Sequence, residues 1–113
     1  MDNLLLSPVF RALSDPTRRH VVEHLGRGPA SVTELAAPFD MALPSFLKHL
    51  RVLEESGLIR SEKVGRVRTC TLERARLDNA ALWLEKHRSN DESPRDEVHR
   101  ADVYRHTPKE TED

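Results

Sequence analysis

The sequence predicts a mainly α-helical domain with one small β-hairpin. Three observations predict it. Apolar residues recur at helical intervals through most of residues 1–88. Two strong helix-start signals stand at Ser14-Asp15-Pro16-Thr17 and Ser31-Val32-Thr33-Glu34. Between Leu58 and Leu72 the helical period gives way to strand-like alternation, interrupted near its middle by Gly65.

Leu4, Leu5, Leu6, Val9, Phe10 and Leu13 open the chain as an apolar cluster, and Val9, Phe10 and Leu13 have the spacing of a short helix. The triple leucine exceeds what one helix face needs, which points to burial against another element, a second subunit included. Asp15 is placed to cap the next helix, and Pro16 fits its first position, where a missing N–H costs nothing. Val21, Val22 and Leu25 supply the apolar stripe, Arg18, Arg19, His20, Glu23 and His24 cover the rest, and Gly26, Gly28 and Pro29 end the helix. Ser31 and Glu34 have the spacing of a capping box. The helix they open is short, about Val32 to Ala37, and Pro38 limits it.

The stretch from Leu43 to Gly57 is expected to hold the central helix, with Pro44 in its first turn and Gly57 just past its end, where the backbone can turn left-handed. Leu43, Phe46, Leu47, Leu50 and Leu53 trace its inner face, while Ser45, Lys48, His49 and Arg51 lie on the other. A helix packed on one side, with cations and short polar groups on the other, can lie in a DNA major groove. A short helix, a tight turn and then this cationic helix make a helix-turn-helix pattern. Leu58–Lys63 and Arg66–Leu72 read as two strands, with Val64-Gly65 as their turn. Lys63, Arg66 and Arg68 near the hairpin tip suit phosphates or a minor groove. Glu73 to Arg88 reads as a final helix with Leu77, Ala80, Ala81 and Leu84 on one stripe and Trp83 beside it. This order is that of a winged helix-turn-helix.

Composition agrees with one small domain. The chain has 113 residues, 37% hydrophobic and 4% aromatic, so its core is modest and mainly aliphatic. A thin core in so short a chain favours association. The net charge of −1 is unevenly spread: residues 1–88 carry 14 Lys+Arg against 11 Asp+Glu, a net of +3, and residues 89–113 carry 4 against 8, a net of −4. A basic body, 1–88, is therefore expected to carry an acidic, disordered tail, 89–113. Cys70 stands alone, which excludes an intramolecular disulfide and the multi-cysteine zinc patterns. No apolar run approaches the roughly 20 residues that span a bilayer, and Leu4-Leu5-Leu6 is too short for a signal-peptide core, so a cytoplasmic protein without a membrane partner is expected. There is no glycine-rich phosphate loop and no spacing of Ser, His and Asp that pairs a nucleophile with a base, so no enzyme is expected.

Four segments resemble the ArsR-like family of bacterial transcriptional repressors: Phe10-Arg-Ala-Leu-Ser-Asp-Pro-Thr-Arg-Arg19, Ser31-Val-Thr-Glu-Leu-Ala36, Lys48-His-Leu-Arg-Val-Leu-Glu-Glu-Ser-Gly-Leu58 and Gly65-Arg-Val-Arg68. The resemblance covers roughly residues 8–88. It implies a homodimer joined through the first and last helices, here Leu4, Leu5, Leu6, Val9 and Phe10 with Leu77, Ala81 and Leu84. It also implies binding to double-stranded DNA at an imperfect palindrome near the regulated promoter, usually that of the repressor's own gene. The chain departs from metal-sensing members. Glu34-Leu-Ala-Ala-Pro-Phe-Asp40 lacks their Cys-x-Cys motif, and Ala80 stands where a last-helix site would place a histidine. Leu47 replaces a small polar residue common in the recognition helix. The pattern is therefore closer to members that do not sense metal, and neither a metal nor a cofactor is expected; an inducer is not named by the sequence. Two other readings stay open. His20, His24 and Cys70 could serve a metal- or redox-responsive sensor, and the near-zero net charge would suit a protein-interaction module that does not bind DNA.

Overall fold

A computed structural model gives the fold of residues 3–89, with side-chain surroundings for 5–88. Beyond residue 89, the expected acidic tail lies outside the described residues. The elements run α1 (Asn3–Ala12), α2 (Pro16–Leu25), β1 (Ala30–Ser31), α3 (Val32–Ala36), α4 (Leu43–Glu55), β2 (Ile59–Val64), β3 (Val67–Leu72) and α5 (Arg74–Ser89). The result is mostly helical with a small antiparallel sheet in the order β1-β3-β2. Two units divide it, Met1–Ala80 and Ala81–Asp113. Among the described residues no helix is long and apolar enough to cross a membrane.

The helix starts follow the local chemistry. Asp15 caps α2 by accepting the Arg18 backbone N–H at 3.0 Å. Ser31 and Glu34 form both halves of the capping box of α3, at 3.1 and 2.9 Å. Gly57 follows α4 at φ 83, the left-handed region that an L side chain rarely adopts, and a Cβ there would fall 2.7 Å from the Arg76 guanidinium. Ser56, 3% exposed, closes the same helix end: its hydroxyl donates to the Leu53 carbonyl at 2.7 Å and accepts the Leu58 N–H at 3.2 Å.

Several expectations need correction. The first helix begins at Asn3, includes the triple leucine and tolerates Pro8 in its interior, while Leu13 lies beyond its end. Leu6 and Val9 point into the chain's own core, which leaves Leu5 as the exposed member of the leucine cluster whose side chain is described. A third strand, β1, pairs Ala30 with Cys70 and Ser31 with Thr69. Two residues are too few to show a period, and Ser31 reads locally as a helix cap. The hairpin turn is Gly65-Arg66, one residue later than expected, because Val64 still pairs with Val67. Gly65 has φ 65 there. Arg66 therefore sits in the turn and not on the strand face of Arg68, Cys70 and Leu72.

The core lies in the first unit. Val21, Leu25, Leu35, Phe46, Leu53, Leu58 and Cys70 are its most buried large side chains, along with Val9. On α4 the buried stripe is Phe46, Leu50 and Leu53. Leu43 and Leu47, expected in that stripe, are 53% and 39% exposed. Each residue advances about 100° around a helix, so Leu47 points well away from Phe46. In α5 Ala80 is buried and Leu77 packs against the core. In the second unit Ala81, Leu82, Trp83 and Leu84 are exposed, and the Trp83 and His87 rings pack at a tilt of 47° with centroids 4.4 Å apart.

Candidate nucleic-acid interface

The turn between α3 and α4 is pinned by aromatic contacts. The Phe39 ring centroid lies 5.6 Å from that of Phe46 and 5.1 Å from that of His20, the latter pair edge to face. Phe46 is fully buried, so this arrangement sets the angle at which α4 leaves the turn. Ser45, Lys48 and Arg51 are exposed on the outer side of α4, as their spacing predicted.

His49 differs from that expectation. It is half-buried, and its Nδ1 lies 3.1 Å from an Arg18 guanidinium nitrogen and 3.6 Å from the Asp15 carboxylate. A guanidinium only donates, so in the neutral ring Nδ1 accepts and the ring proton resides on Nε2. The same Arg18 donates to the carbonyls of Ala12 at 2.8 Å and Arg11 at 3.3 Å, and Arg19 donates to that of Leu13 at 2.8 Å. The Ala12 carbonyl ends α1 and that of Leu13 lies just beyond it, while the Arg11 carbonyl also accepts from the Ser14 N–H and hydroxyl. Arg18 thus joins α1, α2 and α4 through one side chain, and His49 is the α4 residue it holds. The local pattern read Arg18 and Arg19 only as cover for a helix face. An Asp-Pro-Thr-Arg-Arg run directly after a helix was the available signal, since it places two donors beside the carbonyls at the helix end. Burial of Asp15 works against its charge. The Arg18 backbone N–H, the electrostatic pull of the neighbouring His49 and Arg18 side chains, and the Thr17 N–H outweigh it and hold the carboxyl below its usual value.

The wing is β2 and β3. Lys63 and Arg68 are direct cross-strand partners, both exposed, and Arg66 is exposed in the turn. Two like charges held opposite each other destabilise a hairpin, and an anion relieves the cost. Arg68 is also tied back toward α4. Its guanidinium donates to Ser61 Oγ at 3.0 Å, and the Ser61 hydroxyl donates to Glu54 at 2.6 Å. An open groove of about 280 Å³ between helix and wing is lined by Leu47, Leu50, Arg51, Glu54 and Arg68. Beneath it Cys70 is fully buried. Burial and the nearby charge of Glu54 push its thiol up, against the opposing pull of Arg68, so it remains protonated and a poor nucleophile. Among the described residues no group of three His, Cys, Asp or Glu side chains is placed to hold a metal ion.

A helix-turn-helix followed by a cationic wing defines a winged helix-turn-helix, a class that binds double-stranded DNA. A helix-turn-helix domain family matches residues 13–62. The crystal structure of an ArsR family transcriptional regulator matches at TM-score 0.75 and 54% identity, covering 79% of this chain and 98% of that one. The transcriptional repressor SdpR of Bacillus subtilis is 29% identical over 79 residues, 70% of this chain and 88% of SdpR. A Mycobacterium bovis structure, titled a homodimeric winged helix-turn-helix DNA-binding domain, shares the fold at TM-score 0.61 and 20% identity, covering 74% of this chain and 78% of that one. The chain belongs to the ArsR family and is a DNA-binding transcriptional regulator.

Proposed function

We propose that this regulator is a homodimeric repressor that binds an imperfect palindrome in cytoplasmic DNA and represses its own operon. α4 enters the major groove with Ser45, Lys48 and Arg51 facing DNA, and the wing places Lys63, Arg66 and Arg68 against phosphates or the minor groove. The observation that carries the reading is the firm inner packing of α4 on Phe46, Leu50 and Leu53 beneath its exposed polar groups. The opposed Lys63 and Arg68 support the role given to the wing. His49 acts in this reading as a positioning residue that ties α4 to Arg18. Dimer contacts come from each helix separately: Leu5 and the half-buried Phe10 on α1, and Leu77, Ala81 and Leu84 on α5. Leu6 and Val9 are already used by the chain's own core. Two recognition helices then meet successive major grooves about 34 Å apart.

The test is fluorescence anisotropy with DNA from upstream of the protein's own gene and with random DNA, at several salt concentrations. Preference for the upstream DNA, with log affinity falling linearly in log salt, is expected. Equal weak binding to both DNAs would remove the autorepressor assignment. Light scattering should report twice the chain mass, and a monomer that still binds the operator tightly would remove the dimer.

A further inference from the structure

The exposed leucines of α4 have no role in a purely cationic interface. Leu47 lines the groove between α4 and the wing, and Leu43 precedes it by about one helical turn. A single exposed leucine needs no explanation. A pair at the end of the helix that enters DNA is different, because that helix has little else with which to identify an A·T pair. α4 reads LPSFLKHLRVLEE and contains neither Asn nor Gln, the side chains that pair bidentately with adenine. Arg51 and Lys48 are suited to guanine, and a serine hydroxyl such as that of Ser45 bonds to several base edges without selecting one. His49 is held against Arg18. What remains distinctive of an A·T pair in the major groove is the thymine C5-methyl group, which apolar side chains contact.

We propose that Leu47, supported by Leu43, reads thymine methyl groups, so that operator selection at A·T positions rests on apolar contact. The proposal depends on α4 occupying the major groove. The rise from Leu43 to Leu47 is about 6 Å, against about 6.8 Å for two base steps, so the pair spans two methyl groups separated by one intervening base pair. Leu47 directly follows the buried Phe46 and precedes the buried Leu50 by three residues, so its backbone position is firm while its side chain stays accessible.

The experiment uses the full chain and an operator selected from a random DNA pool. Each thymine is replaced singly by uracil, which removes the methyl group and leaves every hydrogen-bonding group in place. The unaltered protein should bind about fourfold more weakly at one or two thymines per half-site, the effect expected for burying one methyl-sized group. Leu47→Ala should lose that sensitivity at one position and Leu43→Ala at the position two base steps away, with thermal melts and random-DNA binding unchanged. Tight binding by the unaltered protein that is indifferent to uracil everywhere would overturn this proposal alone, whatever the variants do. Uracil penalties that persist in both leucine variants would also overturn it. Absence of DNA binding by the unaltered protein would overturn the groove placement of α4 and this proposal with it.

Discussion

Helix α4 rests on three buried side chains, Phe46, Leu50 and Leu53, whereas every residue of the wing tip from Lys63 to Arg68 is exposed. Both regions carry cations, but their supports differ. A side chain on α4 is placed to within the tolerance of a packed core. A side chain on the tip is placed by backbone hydrogen bonds and one two-residue turn. Base recognition needs fixed geometry, while attraction to phosphate tolerates motion and fades with salt. The hairpin is not uniform either. Its base is anchored by the Arg68–Ser61–Glu54 hydrogen bonds, so freedom belongs to Gly65 and Arg66 rather than to the whole wing.

The contrast can be broken most strongly at Phe46. Phe46→Ala should cost about 3–5 kcal/mol of stability in urea denaturation and abolish binding to all DNA together. A change below about 1 kcal/mol would mean that α4 is not held from beneath. Ser56→Ala comes next, at about 1–3 kcal/mol, because the buried Leu58 N–H loses its acceptor; an unchanged denaturation midpoint would contradict that account.

Asp15→Ala should cost about 1 kcal/mol through loss of the α2 cap. Its pH dependence has a definite sign. Because the folded-state pKa is lowered, the ionised carboxylate's contribution is complete above about pH 4, the ordinary carboxylate range, and disappears as pH falls through the lowered value. Melting curves of the unaltered protein should drop below that range, and Asp15→Asn should flatten the drop. A parallel drop in both proteins would assign the acid sensitivity to other carboxylates.

His49→Ala should lower stability by about 0.5–1.5 kcal/mol and weaken operator binding more than random binding, since it frees α4 from Arg18. An unchanged melt would return His49 to the solvent-facing role that its position on the helix first implied. The smallest effect on folding is expected at Arg66. Arg66→Ala should change stability by less than about 0.5 kcal/mol, yet reduce the salt slope by about one on operator and random DNA alike. A loss confined to the operator would show the tip reading sequence, and the division between helix and wing would fail.

Local chemistry made much of this legible in the chain alone. Asp15 with Pro16, Ser31 with Glu34 and Gly57 act within a few residues of themselves, and their roles in the structure are those that their spacing implied. The stripe of Phe46, Leu50 and Leu53 was legible for the same reason, and with it the order of elements that make the winged fold. Three things were decided only in three dimensions. Helical spacing states which residues share a face but not how wide the neighbouring surface is, so Leu43 and Leu47 counted as buried until the packing of α4 left them outside. Spacing likewise put His49 on the polar face, and only the approach of Arg18 from another helix turned it into a fixed contact. Strand β1 has two residues and no period of its own; it exists because β3 presents backbone partners to Ala30 and Ser31, which lie 38 or more positions away in the chain.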